Sequence, residues 1–149
     1  EDVRIKKMVA RAANMSQSGQ YNLPRSVRRG EYVEAGLALA EFVRHGMVMI
    51  YLLNHRYAPF YKWMHRGLGE LPILGTTQKL FAQLMDPCPE SLFWEQKQEL
   101  IETICGLISA EWQRQGLIGT TDPFLQNSLD ELMKQIQDPQ IAVLPWLYG

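Results

Sequence analysis

The chain has 149 residues, of which 46% are hydrophobic and 21% charged, with a formal net charge of -1. A chain of this length buries roughly 70% of the surface its unfolded form exposes, so a core needs neither disulfide nor metal. The composition favours neither disorder nor membrane residence. The charge is unevenly placed: residues 1–75 carry eleven Lys/Arg against six Asp/Glu, and residues 76–149 carry four against ten. That polarity fits two halves that attract one another or face solvent, and equally an anion site on the basic half.

The first residues, Glu1 to Lys7, include no initiator Met and no apolar signal core, so the chain reads as a cut-out of a longer protein. Ile5, Met8, Val9, Ala12 and Met15 recur at helical spacing, with Arg4, Lys6, Lys7 and Arg11 on the other face. This first helix is expected to end near Ser18 and Gly19. Pro24 pushes Leu23 toward an extended conformation and removes a donor, which predicts a connector over 20–25.

A second helix is expected from Ser26 or Glu31 to Asn54, with Val33, Leu37, Ala40, Val43, Met47 and Ile50 as its buried stripe. Beyond Gly46 nearly every position is apolar, the signature of a helix surrounded by others. The apolar run from Met47 to Leu53 falls short of the ~20 residues that cross a bilayer. Pro59 suits the first turn of a third helix, with Phe60, Trp63, Met64 and Leu68 as its buried face. A short helix over 77–85 comes next, stopped by Asp86-Pro-Cys-Pro.

Pro89 opens the clearest helix, running to Gln115 with Leu100, Ile101, Ile104, Cys105, Ile108 and Trp112 on one stripe and Gly116 as terminator. Asp122-Pro123 is a start signal for a last helix bearing Leu125, Leu129, Leu132, Met133 and Ile136, closed by Asp138-Pro139. The apolar tail from Ile141 to Gly149 either packs back on the bundle or belongs to a partner contact. With no hairpin signal and no internal repeat, the fold class is all-α, a bundle of about four long helices and one or two shorter ones.

Cys88 and Cys105 have no Cys or His partner at metal-ligand spacing, which points to a reducing, cytoplasmic setting. His45, His55 and His65 recur every ten residues and so share no helical face. Glu41 and His45 do share one, which reads as a surface contact. Glu95, Glu99 and Glu102 read as a solvated helix face. No Gly-x-Ser-x-Gly, no Cys–His pair at catalytic spacing and no phosphate-cradling glycine loop occurs. The chain is expected to carry no catalytic residues and no metal site.

The richest stretch is Tyr51 to Arg66, where Arg56, Lys62 and Arg66 could hold phosphate groups and Tyr57 and Tyr61 offer stacking or hydrogen-bonding surface. Two alternatives stand beside this. Tyr51 and Asn54 could satisfy backbone at a bend while the cations are solvated, or the stretch could contact a protein or nucleic acid. Tyr21 to Arg25, with Arg28 and Arg29, could converge on the same place.

The blocks Gly19-Gln-Tyr-Asn-Leu-Pro-Arg25 and Tyr51-Leu-Leu-Asn-His-Arg-Tyr-Ala-Pro-Phe-Tyr-Lys-Trp63 resemble an uncharacterised bacterial helical family that sits carboxy-terminal to a nucleotidyltransferase-like domain. The helical order is similar to the substrate-binding domain of kanamycin-type nucleotidyltransferases. That superfamily catalyses with an amino-terminal Gly-Ser and paired aspartates, and this chain has neither Gly-Ser nor Asp-x-Asp. The resemblance therefore implies an accessory module, inactive alone. It would present Arg56, Lys62 and Arg66 to a nucleotide or small anionic substrate, with Tyr57 and Tyr61 lining the cleft. It implies an amino-terminal nucleotidyltransferase-like domain as partner, no cofactor in this piece, and magnesium with the nucleotide in the full-length protein. The competing expectation is a helical interaction module, dimerising through the apolar tail, with no membrane contact in either case.

Overall fold

The computed structural model describes residues 1–87 and 93–149, and among these every regular element is helical. Helix α1 (Asp2–Met15) buries Ile5, Met8, Val9, Ala12 and Met15, the stripe expected from the sequence. The expected connector after it does not form. Ser16–Asn22 continues as a π-helical turn, and α2 (Leu23–Arg28) joins on without a break. Leu23 is in the right-handed helical region and donates its N–H to the Ser18 carbonyl, five residues back. The wider π turn takes up the missing donor and ring bulk of Pro24, which a regular α-helix accommodates only by kinking.

The resulting rod packs along α3 (Tyr32–Leu53), and Gly19 sets their separation. A Cβ there would lie 2.3 Å from Cδ2 of Phe42, a fully buried ring. Helix α3 is central, as expected, but its buried face differs from the expected stripe. Ala35, Leu39, Phe42, Val43, Gly46, Met49, Ile50 and Leu53 face the core, Met47 is half-buried, and Val33, Leu37 and Ala40 are exposed. A helix apolar nearly all round has no phase in its sequence, so its neighbours choose which side is buried. By length and composition α3 could cross a membrane, and 56% of its most apolar window is buried inside the bundle.

Helix α4 (Tyr61–Leu68) begins two residues after Pro59 and buries Met64 and Leu68. Phe60 and Trp63, expected in the core, are exposed. Helix α5 (Thr77–Leu84) buries Phe81 and Leu84. Helix α6 (Phe93–Arg114) buries Ile101, Ile104, Cys105, Ile108 and Trp112 as expected, with Leu100 partly covered. Its expected start at Pro89 lies outside the described residues. Gly116, at φ 71°, ends it, and Leu117 N–H closes back on the Trp112 carbonyl at 2.9 Å.

The last long helix does not form. Asp122 accepts the N–H of Phe124 and the side-chain amide of Asn127, as a start signal should. Beyond it the chain makes only a 3-10 turn (Leu125–Ser128) and the short α7 (Leu129–Met133). Leu125, Leu129, Leu132 and Ile136 are nonetheless buried. Burial against α1 holds them, and it needs their spacing more than a continuous helix.

The tail folds back. Helix α8 (Pro139–Ala142) lies against α1, and Lys6 Nζ donates to the carbonyls of Pro145 (2.8 Å), Trp146 (3.1 Å) and Tyr148. Lys6, placed by its spacing on the polar face of α1, is thereby buried, and burial lowers its pKa.

Candidate functional site

The corner between α3 and α4 is built by two polar side chains near the end of α3. Tyr51 donates its hydroxyl to the Met64 carbonyl at 3.0 Å. Burial raises its pKa, so the hydroxyl stays protonated. Gly67 leaves room for that hydroxyl, since a Cβ there would lie 2.3 Å from it. Asn54 donates to the carbonyls of Ile50 and Ile73 at 2.8 Å each and accepts the Ile73 N–H at 2.9 Å. His55 then turns the chain through the left-handed region at φ 55°. These are the roles that the bend alternative assigned to Tyr51 and Asn54.

The cations are not consumed in building the bend. Arg56 and Tyr57 reach a cleft of about 260 Å3 shared with Glu1, Val3, Arg4, Lys7, Leu52 and His55. Arg4 is tied into its wall, donating to the Leu52 carbonyl at 3.1 Å, to Gln115 Oε1 at 3.4 Å and to the Glu1 carboxylate. That bond to Arg4 holds the Glu1 carboxyl below the usual carboxylate range. His55 Nδ1 lies 3.9 Å from Glu1 Oε2. Among the described residues Lys7, Arg56, Lys62 and Arg66 form no ion pair.

Tyr57 is 89% exposed and Tyr61 70%. Tyr61 stands on the first turn of α4 against Phe60, ring centroids 4.5 Å apart, and Phe60 lies 6.1 Å from Trp63. Lys62 Nζ sits 5.4 Å from the Trp63 ring. Phe60 and Trp63 thus join the aromatic surface, although helical spacing from Pro59 gives them to the core. The misleading signal is that spacing, because an eight-residue helix at the edge of a bundle has more apolar residues than buried positions.

The second block does not converge on this corner. Tyr21 and Arg25 stack on one another, guanidinium 4.8 Å from the ring, and line a groove with Glu34, Leu37, Ala38 and Glu41 in the first half of α3. Arg56 lies past the other end of that helix, and fifteen or more residues at 1.5 Å each separate the two places by roughly 20 Å.

The Glu41–His45 contact expected from spacing forms, but only Glu41 is at the surface: His45 is 2% exposed. Its Nδ1 lies 3.2 Å from Arg11 Nη1, and its Nε2 lies 3.0 Å from Glu41 Oε2 and 2.8 Å from Arg44 Nη2. A guanidinium only donates, so Nδ1 accepts from Arg11 and the neutral ring carries its proton on Nε2, which donates to Glu41; Arg44 Nη2, which donates to the same Glu41 oxygen, is then a close neighbour of Nε2 and not its hydrogen-bond partner. Burial first, then the charges of Arg44 and Arg11, lower its pKa to about 4, against the opposing pull of Glu41. Cys105 is a buried free thiol, pushed well above its usual pKa by burial and therefore a poor nucleophile.

These features describe an all-helical domain with an exposed corner of aromatic rings and of cations that have no carboxylate partner among the described residues. A family model described as a domain of unknown function, DUF4037, matches residues 1–64, from the start of α1 into α4, and includes both motif blocks. No curated protein and no solved structure is matched.

Proposed function

We propose that the α3–α4 corner is a binding surface for an anionic ligand with a planar group, a nucleotide or a similar small substrate, and that the domain is an accessory module of a nucleotidyltransferase-like protein. The observation that carries the reading is that Lys7 and Arg56 share one cleft with the exposed ring of Tyr57, and Lys62 and Arg66 stand on α4 with the exposed Tyr61, none of the four cations having a carboxylate partner among the described residues. Unpaired guanidinium and ammonium groups supply forked and point-charge contacts to phosphate, and the tyrosines supply faces for a base. The role is electrostatic positioning, with chemistry supplied by an amino-terminal partner domain that would carry the metal-bound nucleotide.

The test is a titration of the chain, followed by Trp fluorescence and calorimetry, with ATP in the presence and absence of magnesium. Arg56→Ala and Lys62→Ala each weaken binding by roughly 10-fold, the size of one lost charge-assisted contact. Both positions are exposed, so melting temperatures stay nearly unchanged. Unaltered affinity in both variants rejects the reading.

A further inference from the structure

From Phe42 to Gly69 the chain has no Asp or Glu, and the corner between α3 and α4 falls inside that span. The carboxylates bordering it are Glu70, just past α4, and Glu1, which Arg4 holds. Phe60 is 60% exposed and Trp63 53%, so with Tyr57 and Tyr61 four rings meet solvent between residues 57 and 63. Tyr57 lines the cleft, and Phe60, Tyr61 and Trp63 do not. Phe60 follows Tyr57 by three residues, so the cleft and this ledge of rings are at most about 11 Å apart along the backbone. The cleft, about 260 Å3, is smaller than the ~300–1,000 Å3 of ordinary small-ligand pockets and has room for one nucleotide. A mononucleotide brings one base and leaves the other rings in water. Lys62, with Nζ 5.4 Å from the Trp63 ring, and Arg66 one turn further on add positive charge beside the ledge, outside the cleft.

We infer that the corner takes a single-stranded polynucleotide. One nucleotide sits in the cleft against Tyr57, Lys7 and Arg56, and the strand then crosses the start of α4, with bases on Phe60 and Trp63 and phosphates at Lys62 and Arg66. This rests on the reading of the corner as a nucleotide site and names its class of substrate. Rings interleaved with cations hold single strands without regard to sequence, because every base has a π face and every nucleotide a phosphate. A duplex keeps its bases stacked inside and offers such rings only its ends. An anionic membrane is the poorer fit, since an interfacial helix buries an apolar face in lipid. On α4, positions 62 and 66 stand opposite the buried Met64, so the outermost stripe of this helix is cationic.

The test is calorimetric titration of the full chain, with Trp emission followed in parallel, against four ligands: an oligoadenylate of about eight nucleotides, ATP, the same strand paired to its complement, and phosphatidylserine vesicles. The single strand should bind at least ~10-fold more tightly than ATP or the duplex, with a log–log salt slope of about -3, four cations at about -0.7 each. Ribose and deoxyribose forms of the strand, run side by side, tell which nucleic acid the site prefers. Phe60→Ala and Trp63→Ala should each weaken the oligomer by roughly 10-fold, as for one lost stacking contact, and leave ATP binding and melting unchanged. Trp63→Phe should keep the affinity, because a ring remains, and lose the quenching of Trp emission on binding. An oligomer held no more tightly than ATP overturns this inference and leaves the nucleotide site standing, whereas failure to bind either ligand overturns both. A duplex bound as tightly as the single strand, an oligomer indifferent to both alanine variants, or vesicles bound in place of the oligomer also overturns it.

Discussion

Acidification below pH 6.5 should destabilise this fold, and His45 is the reason. The folded ring has a pKa of about 4, against 6.5 in the unfolded chain. Between those values the unfolded state binds the extra proton, so stability is highest above pH 6.5, falls as pH drops toward 4, and levels off below it. From pH 7.5 to 5.0 the difference amounts to about 2 kcal/mol, each tenfold difference in proton affinity being worth about 1.36 kcal/mol. Since Glu41 is half-exposed and the site is partly screened at that edge, roughly 1–2 kcal/mol is the expected loss. In a chain of this size that lowers the melting temperature by about 3–7 °C. The carboxyls of Glu1, Glu41 and Glu111 are held below 4.5, so their contributions are lost only at lower pH and leave this window clear. Urea unfolding at pH 7.5 and 5.0 measures the slope directly, with His45→Gln as the comparison. The variant starts less stable, and its stability should change with pH by about 1–2 kcal/mol less than that of the parent. Equal slopes in the two proteins would refute the buried neutral imidazole.

Two further perturbations probe the scaffold. Gly19→Ala forces a Cβ into the Phe42 ring, and overpacking of about 1–3 kcal/mol should outweigh the ~1 kcal/mol gain in helix propensity, leaving a net loss in urea unfolding. A stabilised variant would show that the rod does not approach α3 so closely. Lys6→Met removes the donor that gathers three tail carbonyls, so the Tyr148 amide, bonded to Pro145 at 3.0 Å, should exchange with deuterium at least ~10-fold faster while amides of Ile101 to Ile108 keep their rates. Unchanged exchange at Tyr148 would mean that the tail holds itself.

Much of the architecture was readable from residue spacing. Ile5 to Met15 and Ile101 to Trp112 each carry one apolar stripe on an otherwise polar helix, so their buried faces follow from the period alone. Gly116 and Asp122 act through local backbone chemistry, which is likewise written in the chain. The cations and tyrosines of the α3–α4 corner were picked out by residue type, and they are exposed, as the alternative of solvated cations beside a bend also expects. Tertiary structure decided the rest. Pro24 bars an unbroken α-helical ladder from the preceding turn but fits the first turn of α2 after a π turn, and the choice between connector and turn rests on packing against α3 rather than on any local signal. Apart from Glu34 and Glu41 the first half of α3 is apolar, so only its neighbours could determine that Val33 and Leu37 face outward while Ala35 and Leu39 face in. The same holds for His45 and Lys6, polar residues in sequence terms, because what buries them comes from far along the chain: α1 for the imidazole, and the folded-back tail for the ammonium. Local patterns specify which faces can be buried; only long-range contacts select which of them are.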